Sequence, residues 1–177
     1  MKNNTGIGKT PGEILAITNE TLCSGNRMQM FVTVWLGILE ISTGRITAAN
    51  AGHEYPALYR NSSGRFELYH DPHGFVIGGM EDMHYREYTL SLQPGDKLFV
   101  YTDGVPEATA ENGELFGTDR MLAALNENAA GGPEELLPRV RGAVDAFVGG
   151  AEQFDDLTML CLEYHGSLGG PSLPEAE

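Results

Sequence analysis

The pattern of apolar positions changes texture along the chain, and each change predicts an element. Thr10-Pro11-Gly12-Glu13 reads as a helix start, with Thr10 suited to cap, Pro11 to the first helical position and Glu13 to a capping box. Ile14, Ile17, Thr21 and Leu22 follow at helical spacing, so a helix is predicted over 10–22, ended by Gly25-Asn26. From Met30 the run MFVTVWLGILEI is β-branched, aromatic and apolar on both faces, the pattern of a central strand buried on two sides. RITAANAG resumes extended structure after Ser42-Thr43-Gly44. PALYR and RFELYH form a hairpin around Asn61-Ser62-Ser63-Gly64. REYTLSL alternates as a half-buried strand, and KLFVYTDG is a second fully apolar strand entered through Pro94-Gly95-Asp96. Helical texture returns after Gly117 with Met121, Leu122 and Leu125. A longer helix opens at Gly132-Pro133, with Pro138 expected to delay or kink it and Gly149-Gly150 to stop it. LTMLCLEY, residues 157–164, closes the series as a strand.

Strands joined mainly by short turns imply antiparallel pairing and an α+β fold rather than a doubly wound sheet. The apolar strands need cover on both faces, which predicts a largely antiparallel β-sandwich flanked by helices, in layers α-β-β-α. Trp35, the aromatics of FVTVW and the methionines Met28, Met30, Met121 and Met159 are assigned to its core. A chain of 177 residues suits one domain. Residues 1–9 read as a loop or disordered N-terminus, 10–164 as the folded domain, and 165–177 (HGSLGGPSLPEAE) as a disordered tail.

Charge narrows the functional classes. Eleven Lys and Arg against twenty-five Asp and Glu give a net charge of −14 and a pI near 4.6. That balance argues against nucleic-acid binding and against docking on anionic lipid. It leaves open a phosphorylated ligand held through bound cations, which invert the local field. The chain lacks the ~18 consecutive apolar residues of a membrane span, and MKNNTGIGKT has no apolar signal region, so a cytoplasmic location is expected. Cys23 and Cys161 lie far apart and read as two buried, reduced thiols.

Asp103 ends the strand KLFVYT and is followed by Gly104, which lets the backbone turn and leaves the carboxylate at the rim of the sheet. Asp155-Asp156 stands immediately before LTMLCLEY. Taken singly, each reads as a turn or loop. Taken together, two strand-end carboxylates from distant segments can converge on one hard cation with oxygen ligands. Zinc is disfavoured, because the cysteines have no CxxC partner and the five histidines show no HExxH spacing. Neither a P-loop nor a GxSxG elbow is present. Asn50-Ala51-Gly52-His53 ends a strand with polar groups that can line a pocket, although hydrogen bonding within the turn into PALYR is the favoured reading. His70-Asp71-Pro72-His73 is read as a polar hairpin end rather than a metal site.

In order, MFVTVWLGILEISTGRITAANAGHEYP, LQPGDKLFVYTDGVPEA, NGELFG and FDDLTMLCLEY resemble the SpoIIE/RsbU branch of the metal-dependent PPM protein serine/threonine phosphatases. The resemblance implies an α-β-β-α sandwich with a dinuclear Mn²⁺ or Mg²⁺ site that binds substrate phosphate and activates an attacking water. By the same resemblance Asp103 matches the Asp of the family's TDG motif, Asp155 the Asp opening its closing DD motif, and Asp156 the second position of that motif. All three are thereby implied as metal ligands, with Asp103 and Asp155 catalytic through the metal. The implied substrate is a phosphoserine or phosphothreonine protein of bacterial signalling.

The pattern also departs from the family. Residues 1–30 carry neither a GDxYD-like nor a DVxGHG-like motif, whose aspartates supply the remaining metal contacts in family members. The domain is therefore expected to be N-terminally incomplete, with weak metal binding and poor hydrolysis. Self-association through open sheet edges or an attached sensor domain is a further expectation. The alternative is a non-catalytic, phosphatase-like regulatory or partner-binding module.

Overall fold

The computed structural model describes residues 8–151 and 155–167. Helix α1 (Pro11–Cys23) begins with the predicted capping box. Thr10 Oγ1 accepts from the Glu13 amide at 3.4 Å, and Glu13 Oε2 accepts from the Thr10 amide at 2.9 Å. Seven strands follow: β1 (Val34–Glu40), β2 (Arg45–Ala51), β3 (Ala57–Arg60), β4 (Arg65–Leu68), β5 (His73–Gly74), β6 (Glu87–Ser91) and β7 (Lys97–Tyr101). Helices α2 (Gly117–Asn126) and α3 (Pro133–Val148) precede the closing strand β8 (Met159–Glu163).

In the first sheet β2 lies between β1 on one side and β6 with the two-residue β5 on the other. The second sheet runs β4-β3-β7-β8. Every pairing is antiparallel except β2–β5, so the expected α+β sandwich stands. The sheets meet through Ile46, Ala48, Leu58, Leu90 and Leu98. Helices α2 and α3 cover the outer face of the second sheet, where Phe66, Phe99, Met121, Leu125, Leu136 and Val140 are enclosed. Helix α1 lays Leu15 on Ala49, Ala51 and Ile77 of the first-sheet layer. The four layers are thus α-β-β-α.

The run from Met30 differs from expectation. Regular strand begins only at Val34, and among the described residues β1 is an edge rather than a central strand. Met28, Met30 and Phe31 are 82%, 70% and 62% exposed and so lie outside the core, while Trp35 is half-buried. Two-sided apolarity records what a strand can bury, but not whether both neighbours are present. Met121 is buried and Met159 partly so, as expected. Pro138 does not delay α3, because the helix starts at Pro133 and continues through it. Gly149 stops it with φ of 64°. Both cysteines are free and half-buried, and burial pushes the Cys161 thiol up to about 11. The predicted disordered ends fall mostly on 1–7 and 168–177, outside the described residues.

Candidate functional site

Antiparallel pairing of β7 with β8 puts the end of one beside the start of the other. The backbone beyond the ladder keeps them together. The Thr102 amide donates to the Thr158 carbonyl at 3.0 Å. Thr102 Oγ1 donates to the Asp156 carbonyl at 3.1 Å and accepts from the Thr158 amide at 3.2 Å. Gly104 makes this approach possible, because a Cβ there would stand 2.5 Å from the Asp156 carbonyl oxygen. Asp103 and the Asp155-Asp156 pair, predicted separately from the sequence, therefore occupy one corner, and all three residues are exposed.

Local bonds set these carboxylates. Asp103 Oδ1 accepts from the Gly104 amide at 3.0 Å, and Asp155 Oδ1 accepts from the Asp156 amide at 2.7 Å. A cavity of about 310 Å3 opens beside them, lined in part by Gly104, Glu107, Asp145 and Asp155. Carboxylate oxygens are the right donors for a hard divalent cation, but such an ion takes about six or more oxygen ligands. Among the described residues no group of three or more His, Cys, Asp or Glu is arranged to hold a metal. The corner fits the cation in donor chemistry and falls short in ligand number.

A second polar segment faces the same corner. The turn after β2 is closed by Asn50, whose Oδ1 accepts from the His53 amide at 2.7 Å and whose Nδ2 donates to the His53 carbonyl at 3.0 Å. Gly52 supplies the left-handed conformation, φ 74°, that the turn requires. The favoured reading of Asn50 and His53 as partners within this turn therefore holds. Burial pushes the His53 imidazole down, against the pull of the Asp103 and Asp71 carboxylates. Burial pushes the Glu54 carboxyl up, and the charges of Asp103 and Glu107 push it further. Glu54 thus belongs to the electrostatic surroundings of Asp103, which nothing in its sequence position announced.

Asp71 also differs from expectation. Read from sequence as part of a polar hairpin end, it is buried, and its carboxylate accepts from Asn50 Nδ2 at 3.0 and 3.1 Å. The Tyr88 hydroxyl also donates to it, and His73 Nε2 lies 3.2 Å from Oδ1. Trp35 Nε1 in turn donates to the Tyr88 oxygen at 2.6 Å. Desolvation and the adjacent Asp71 push the Tyr88 hydroxyl pKa strongly up, keeping it a donor. The only sequence signal was a carboxylate set between two histidines and next to a proline, and β5 is too short to read by periodicity.

The SpoIIE family model, described as Stage II sporulation protein E, matches residues 2–165. Protein IcfG of Synechocystis sp. is 32% identical over 147 residues, covering 82% of this chain and 23% of that protein. Phosphoserine phosphatase RsbU of Bacillus subtilis is 26% identical over 136 residues, covering 77% of this chain and 39% of RsbU. The chain therefore spans well under half the length of these relatives. The SiaA-PP2C domain of Pseudomonas aeruginosa superposes with a TM-score of 0.74 at 21% identity, covering 88% of this chain and 61% of that domain. That likeness shows the fold, and the family match over nearly the whole chain shows that this protein belongs to the SpoIIE family.

Proposed function

We propose that residues 10–164 form a metal-dependent phosphatase domain that hydrolyses phosphoserine or phosphothreonine proteins in bacterial signalling. The observation that carries this reading is the lacing of Thr102, Asp156 and Thr158, with Gly104 between them, which holds two acidic segments at one corner. Asp103, Asp155 and Asp156 are the residues proposed to hold Mn²⁺ or Mg²⁺, both of which suit carboxylate and water ligands. When bound, such a cation offsets phosphate charge and lowers the pKa of coordinated water from about 15.7 towards neutrality.

The chain's own residues hold the carboxylates in place. Thr102 uses its hydroxyl as donor and acceptor at once, so the two segments cannot slide past each other without losing both bonds. Gly104 keeps the separation short. Among the described residues no helix is long and apolar enough to cross a membrane. A cytoplasmic site of action, with a phosphoprotein partner, is part of the same proposal.

Hydrolysis of an aryl phosphate and of a phosphoserine peptide, with and without Mn²⁺, tests this reading. The expected result is weak activity that needs the metal and disappears in Asp103→Asn. Metal-independent hydrolysis, or full activity in the variant, would contradict it. The short ligand count favours one second reading, a phosphatase-like module that binds partners without catalysis. Mn²⁺ binding with no turnover of either substrate would select it.

A further inference from the structure

We infer that His53 is a substrate-contacting residue of the Asp103 corner, donating an imidazole N–H to a phosphoryl oxygen, and that buried Asp71 positions it through Asn50. This rests on the phosphatase reading. His53, in the turn after β2, lines an apolar groove of about 420 Å3 together with Trp35, Val100, Tyr101 and Thr102. Thr102 is the neighbour of Asp103, whose charge acts on the ring. His53 is the one basic side chain among the described residues lining that groove.

A phosphoryl group approaching this corner meets Asp103, Glu107 and Glu54 on a chain of charge −14. It therefore needs a hydrogen-bond donor from the protein as well as a cation. Arg141 lines the neighbouring cavity rather than this groove, and its Nε donates to Asp145 at 2.8 Å. A neutral imidazole always keeps one N–H donor, so His53 serves without carrying charge.

Asp71 supplies the orientation. An ionised carboxylate only accepts, so it fixes which end of the Asn50 amide turns towards it. The amide nitrogen must face Asp71, and the oxygen is left to accept from the His53 amide. Burying a carboxylate is costly, and well-packed apolar groups often give equal or better stability. What the network of Asp71, Asn50, Tyr88 and Trp35 adds is a fixed direction for the turn.

The test is an NMR titration of the histidine Cε1–H resonances with inorganic phosphate in saturating Mg²⁺, with His53 assigned through His53→Phe. The His53 resonance should move saturably, and His53→Phe, which keeps a ring but has no N–H to donate, should weaken phosphate binding about 3–10-fold while Mn²⁺ affinity, read from water-proton relaxation, stays unchanged. Asp71→Asn should shift the His53 resonance in the free protein and weaken phosphate binding, again with Mn²⁺ affinity intact. A purely structural Asp71 would lower thermal stability without that selective loss. A silent His53 resonance, or unchanged phosphate affinity in His53→Phe, overturns the proposal whether or not Asp71→Asn folds. If Asp103→Asn keeps full Mn²⁺ affinity, the metal reading beneath it fails instead, and the phosphate titration still decides His53.

Discussion

Phe99 and Leu160 occupy neighbouring strands of one sheet, yet Phe99 is fully enclosed and Leu160 is 55% exposed. Phe99 points to the face that α2 and α3 cover, among Met121, Leu125, Leu136 and Val140. Leu160 points to the groove between the sheets, where β1 and β8 are edges with no further strand paired to them among the described residues. Both positions are apolar in sequence. Apolar character alone therefore does not fix burial, because burial also needs an element to supply the other wall. The candidate site lies where the covered and open faces meet, at the junction of β7, β8 and the turn after β2.

The largest effect expected from this contrast is on stability. Phe99→Ala should cost about 3–5 kcal/mol in urea unfolding, as a large cavity opens in a closed layer. Leu160→Ser should cost far less, about 0.5–1 kcal/mol, because more than half of its surface is already exposed. Equal losses at the two positions would break the comparison.

Asp96 comes next. Burial alone would push its carboxyl up, but the Gln93 and Asn61 amides, at 3.0 and 2.9 Å, and Arg60 Nη1, at 2.8 Å, outweigh it and hold the pKa below the usual range. A depressed folded-state pKa gives stability that is complete above the unfolded value of about 3.9 and is lost as pH falls through the folded one. Asp96→Asn should therefore cost about 1–3 kcal/mol at pH 7, and the difference from wild type should shrink in acid. A pH-independent difference would show that the hydrogen bonds do not favour the ionised form.

Gly104→Ala sharpens the account at the junction itself. Crowding of the Asp156 carbonyl should cost about 1–3 kcal/mol and separate the two acidic segments, read as weaker Mn²⁺ binding than wild type. The smallest expected effect is at the open edges. Exposed Ile38 and Leu160 should promote concentration-dependent association, seen in light scattering as a rising apparent mass and reduced by Leu160→Lys. A monodisperse monomer at all concentrations would remove the edges as an association surface.

Much of the fold was legible because local rules and tertiary context agree. The Thr10 capping box, the hairpin around 61–64 and the stop at Gly149 each rest on neighbours in sequence. Asp103 and Asp155 were legible as strand-end carboxylates, and the pairing of β7 with β8 explains why they share a corner. The sequence could not show that β1 is an edge, since that depends on which strands lie beyond it. Asp71 and Glu54 were hidden for a different reason. Their burial and electrostatic surroundings come from β5, Tyr88 and Asp103, all distant in sequence and joined only by the fold.

The most direct test of the central claim is Mn²⁺ binding followed by water-proton relaxation in the wild type, Asp103→Asn and Asp155→Asn. A shared corner predicts weak binding in the wild type that is lost in each variant alone, because the two carboxylates serve one ion. Binding that survives both substitutions, or depends on one of them only, would show that the TDG and FDD segments do not form a common cation site.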